Sequence, residues 1–109
     1  MPRYRCSLSG SIDELARARV ETGLAQIEAD HFGSDPVDVL VEFTEVQAGR
    51  WFTAAQPSQA AVVTGTVPEG TTQEARERLL FDIGRMVSEA IGRDFDDVMV
   101  VASDGRRGR

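Results

Sequence analysis

A chain of 109 residues fits one domain with a modest core. Its formal charge of −6, from 18 acidic residues against 12 basic, disfavours a nucleic-acid-binding role, since phosphates require a concentrated basic face. One cysteine, Cys6, forbids an internal disulfide, and one histidine, His31, forbids the usual zinc frames. No apolar run approaches the roughly 18–20 residues of a membrane span. The opening residues lack the apolar stretch of a secretory signal. The expectation is a cytoplasmic protein with no metal, no cofactor and no nucleic-acid or membrane partner.

In chain order, "RYRCSL" at 3–8 alternates Tyr4, Cys6 and Leu8 against Arg3, Arg5 and Ser7, the period-two pattern of a strand. "SIDE" at 11–14 reads as a capping box, with Ser11 as the cap and Glu14 reaching back to it. Ala16, Val20, Leu24, Ile27 and His31 then recur at steps of three and four, one stripe of a helix. His31, at its end, is placed to cap carbonyls or to pack. Gly33 suits a left-handed stop. "VDVLVEF" at 37–43 alternates again, with Val37, Val39, Val41 and Phe43 on one side.

The same order then recurs. "AAVVTGTV" at 60–67 reads as a strand and "TTQE" at 71–74 as a second capping box led by Thr71. A helix follows, with Ala75, Leu79, Ile83, Met86, Val87 and Ala90 on one side. Gly92 stops it and "DVMVVA" at 97–102 is the last strand. The fold class is α+β, two pseudo-symmetric β-α-β units at about 2–43 and 60–102 within a single domain, 1–104. With right-handed crossovers they form a four-stranded mixed sheet carrying both helices on one face. Residues 44–59 link the halves, with a short strand at about 51–55, and 105–109, "GRRGR", is a basic tail. Leu40, Met99 and Val101 give the uncovered sheet face apolar patches, which predicts self-association.

The chemistry narrows on one residue. All 12 basic residues are arginines, so amine chemistry can come only from the chain's N-terminus. Removal of Met1 would free the secondary amine of Pro2. Ordinary α-amino groups titrate at about 7.7–8, and desolvation or neighbouring guanidinium groups lower such a cation's pKa further. Arg3, Arg5 and Arg50 are candidates for that influence. The linking segment holds Arg50 and Trp51, able to grip a carboxylate and wall a pocket, or equally to be hairpin surface and edge packing. Tyr4 shares Pro2's strand parity, as a site hydroxyl or as a core residue. Arg106 and Arg107 could fold back over a pocket or stay solvated, and Cys6 reads as buried filling.

Pro2 after Met1, the duplicated β-α-β unit and "FTEVQAGRWFTAAQ" at 43–56 together resemble the tautomerase superfamily. The segment is similar to the cis-3-chloroacrylic acid dehalogenase group, and Thr44-Glu45 with Gly49 resembles 4-oxalocrotonate tautomerase. The resemblance implies a homotrimer whose sheets form a central core. It also implies that Pro2 is catalytic, as general acid and base or as nucleophile, with Trp51 as the aromatic wall. The implied reaction is tautomerase (isomerase) proton transfer on a small enol or keto carboxylate, with Arg50 holding the anion. A hydratase, dehalogenase or decarboxylase of three-carbon acids is one alternative, and a non-catalytic oligomer of the same fold is another. The dehalogenase group's carboxylate-binding arginines fall on Pro68 and Thr71, and its last-strand tyrosine on Val101.

Overall fold

The computed structural model describes residues 2–105. The tail residues Arg106 to Arg109, and with them the fold-back of Arg106 and Arg107, lie outside the described residues, as does Met1. The elements are β1 (Arg3–Ser9), α1 (Glu14–Phe32), β2 (Leu40–Val46), β3 (Phe52–Thr53), β4 (Gln56–Pro57), β5 (Ala61–Pro68), α2 (Gln73–Ile91) and β6 (Val98–Gly105). Four strands form a mixed sheet in the order β2-β1-β5-β6. β1 pairs parallel with β2 and antiparallel with β5, and β5 pairs parallel with β6. Two parallel pairs, each bridged by a 19-residue helix, are the two β-α-β units of the α+β architecture.

Alternation divides the sheet cleanly. Tyr4, Cys6, Leu8, Ala61, Val63 and Val67 face the helices and are buried with Val20 and Leu24 of α1 and with Leu79, Ile83 and Val87 of α2. The opposite face carries Arg3, Arg5 and Ser7 beside Leu40, Glu42, Thr64, Thr66, Met99 and Val101, by register. Met99 and Val101 remain 59% and 48% exposed there.

Three local expectations need correction. Asp13, not Ser11, caps α1, its carboxylate accepting from the Ala16 N–H. The preceding Ile12 is buried and its N–H is taken by Glu45 Oε2 at 2.7 Å, which keeps residues 11–12 out of the helix. Thr72, not Thr71, caps α2, because the Thr71 hydroxyl donates to the Pro68 carbonyl at 2.7 Å. Val37 does not join β2: Pro36–Asp38 make a 3₁₀ turn, capped by Asp35, that leaves Val37 84% exposed. Both helices end as expected, on left-handed Gly33 and Gly92 (φ 69° and 70°), a conformation that disfavours any side chain.

Candidate active site

Pro2 is buried at the entry to β1, and its carbonyl accepts from the Leu40 N–H at 2.9 Å, extending the β1–β2 ladder by one bond. Period-two alternation puts it on the helix side with Tyr4. Tyr4 is 1% exposed, and its hydroxyl donates to Glu28 Oε1 at 3.1 Å. Its ring packs against β5 at Gly65, which has no Cβ; one built there would sit 2.5 Å from two ring carbons. Glu28 is fully buried, a carboxyl group inside the helix–sheet layer at the Pro2 end of the molecule. Sequence reasoning missed it. It completes the four-residue spacing Val20, Leu24, Glu28, and a charged residue on an apolar stripe was the signal available.

Arg50 and Trp51 sit elsewhere. They follow β2, whose end pairs with Ser9 at the far end of β1. β1 spans seven residues, so at ~3.3 Å per step its ends lie about 20 Å apart. Within one chain, then, Pro2 and the Arg50–Trp51 pair stand at opposite poles of the sheet.

The far pole is held by backbone contacts. The Trp51 Nε1–H donates to the Ala60 carbonyl at 2.9 Å, and the Ser58 N–H donates to the Trp51 carbonyl at 2.7 Å. The Arg93 guanidinium, just beyond α2, donates to the carbonyls of Ser9 at 2.7 Å and Gln59 at 2.9 Å. The expected short strand is a two-rung ladder, Phe52 opposite Pro57 and Thr53 opposite Gln56. It turns through Ala54 and Ala55, both at positive φ (51° and 64°). Arg50 is exposed, its N–H bonded to the Gln47 carbonyl in the turn before the ladder.

The remaining candidates take structural positions. His31 Nε2 lies 2.8 Å from Asp82 Oδ2, tying the last turn of α1 to α2 rather than capping carbonyls. Cys6 is fully buried, and burial pushes its thiol up to about 11, against a smaller lowering by Arg93. Arg3 and Arg5 both reach Glu42 (3.4 and 3.7 Å) on the sheet face opposite Tyr4. Among the described residues no group of three or more His, Cys, Asp and Glu gathers to hold a metal. No described helix is long and apolar enough to cross a membrane.

Neither a family model nor a curated protein matches the chain. Solved structures do. Native Ps01740 superposes with a TM-score of 0.88 at 28% identity, covering 95% of this chain and 94% of that one. A member of the cis-3-chloroacrylic acid dehalogenase family, N1, gives 0.85 at 24% identity over 94% of this chain and 74% of its own. Q0, a fused wild-type 4-OT described as a symmetric trimer, gives 0.86 at 22% identity over 95% and 85%.

Proposed function

We propose, from the premise that this chain has the tautomerase-superfamily fold, that it is an isomerase-type enzyme moving a proton within a small enol or keto carboxylate. Pro2 is the general acid and base. With Met1 removed, the neutral secondary amine of Pro2 takes the enol O–H proton. The O–H bond breaks, the carbonyl forms, and the resulting ammonium delivers the proton to carbon as the new C–H bond closes. No electron leaves the substrate and no co-reactant is needed. The observation carrying this reading is the burial of Pro2 at the tip of β1 in a chain without a lysine. Burial removes water from the amine and favours its uncharged, proton-accepting form.

A site of this kind also needs an anchor for the carboxylate and a wall against water. Arg50 and Trp51 supply these from a neighbouring copy, since their own chain holds them at the opposite pole. The uncovered sheet face, with Met99, Val101 and Leu40 exposed, supports assembly into a trimer. The trimeric state of the fused 4-OT relatives supports the same number. Each site then combines the Pro2 of one copy with the hairpin of another.

Ketonisation of phenylenolpyruvate by the Met1-free protein tests the reading. Replacing Pro2→Ala is expected to lower the catalysed rate by about 10²–10⁴-fold, the usual worth of a positioned acid–base group. Equal rates for the two proteins would end it.

A further inference from the structure

The free sheet face carries a second feature that proton transfer at Pro2 does not use. At the Pro2 end, Arg3, Arg5, Glu42, Thr64, Thr66 and Ser103 line a shallow concavity of about 270 Å³. Register explains the grouping: Arg3 and Arg5 are alternate residues of β1, Thr64 stands opposite Arg5, and Ser103 pairs with Thr66. Two guanidinium groups here share one carboxylate, and neither contact is close: Arg3 Nε is 3.4 Å from Glu42 Oε1 and Arg5 is 3.7 Å from Oε2. The described lining therefore carries one excess positive charge in a chain whose net charge is −6.

We infer that this concavity binds a small oxyanion, a carboxylate or a phosphate, between Arg3 and Arg5. A guanidinium fork donates two parallel N–H bonds to such a group, and the threonine and serine hydroxyls are suited to its remaining oxygens. Assembly of copies through this face would enclose the concavity and bring the one excess positive charge of its described lining, per copy, into a drier interface. Burying charge without a counter-charge is costly, so a bound anion would also favour assembly. Anion binding itself rests on the described residues of one chain and not on the proposed catalysis.

Chemical-shift titration with inorganic phosphate and, separately, with malonate, at constant ionic strength, tests this. The expected result is saturable binding of at least one anion in the millimolar range, with shifts concentrated at Thr64, Thr66 and Ser103. Comparison of the two arms identifies the preferred source. Arg5→Ala and Arg3→Ala, at exposed positions that should not disturb folding, should each weaken binding by about tenfold. Arg78→Ala, on the outer surface of α2, should leave it unchanged. Linear, non-saturating shifts, or an affinity in Arg3→Ala and Arg5→Ala as high as that of the unsubstituted protein, would overturn the inference. Light scattering on the same samples separates it from the assembly reading: a monomer that binds anions saturably supports this site and counts against the trimer.

Discussion

The two poles of the sheet are built by different means. At the Pro2 pole, side chains from three elements interlock: Tyr4 of β1 lies on Gly65 of β5 and bonds to Glu28 of α1. At the hairpin pole the contacts run largely to backbone carbonyls, from Arg93, Trp51 and Ser9. A packed pole is part of the global core, so its loss is felt everywhere. A tethered pole can open locally while the rest stays folded. On the proposed function this division is useful, because Pro2 would be held rigidly while the hairpin offered to a neighbouring copy would retain freedom.

The largest effect should come from Gly65→Ala. Its new Cβ has no room beside the Tyr4 ring, and forced overpacking costs about 1–3 kcal/mol. Thermal melting should shift as one cooperative transition, and an unchanged midpoint would mean that this pole is looser than described. Arg93→Ala should cost about 1–2 kcal/mol by removing two charge-assisted bonds. Here the loss should be local: amide exchange should rise at Ser58 and Ala60, whose N–H groups bond within the hairpin, more than in β1. Uniform acceleration across the chain would erase the distinction between the poles.

Cys6 probes the core between them. Its thiol is raised from 9.0 to about 11 by burial, so in the folded chain almost none is thiolate at neutral pH. Alkylation should follow global unfolding rather than local opening. The sign of the linkage is set by the same shift: the unfolded chain loses this proton first as pH rises, so stability falls between pH 9 and 11. Rapid labelling of Cys6 under native conditions would contradict its burial.

The smallest effect, and the one stabilising change, lies in the β3–β4 turn. Ala54 and Ala55 both hold positive φ, a conformation costing a residue with a Cβ roughly 1–2 kcal/mol. Asn-Gly is the pair that such a two-residue turn prefers. Ala54→Asn with Ala55→Gly should therefore raise hairpin protection by about 1 kcal/mol and leave the packed pole untouched. No gain in exchange protection would mean the turn is not strained.

Much of the fold was legible in the sequence because both periodicities are written plainly. Alternation in β1 and β5 and the stripe Leu79, Ile83, Val87 fix which faces meet, and Gly33 and Gly92 mark the helix ends. Cap positions were harder, since "SIDE" and "TTQE" each offer two side-chain acceptors. Long-range bonds choose between them, as when Glu45 takes the Ile12 N–H. The site was least legible. Proximity along a strand suggested Tyr4 beside Pro2, but its hydroxyl points to a glutamate 24 residues away, Glu28, which was not among the candidate residues. The separation of Arg50 and Trp51 from Pro2 follows from the parallel run of β1 and β2, which the β-α-β pattern already implied although the site residues, taken one by one, do not show it.

Mixed assemblies test that separation most directly. Pro2→Ala protein and a Trp51→Ala, Arg50→Ala double variant should each be nearly inactive alone. Dissociated and reassembled together in equal amounts, they should regain about one quarter of the wild-type rate, because one site in four pairs an intact Pro2 with an intact neighbouring hairpin. A mixture no more active than the mean of its two components would contradict a site shared between copies.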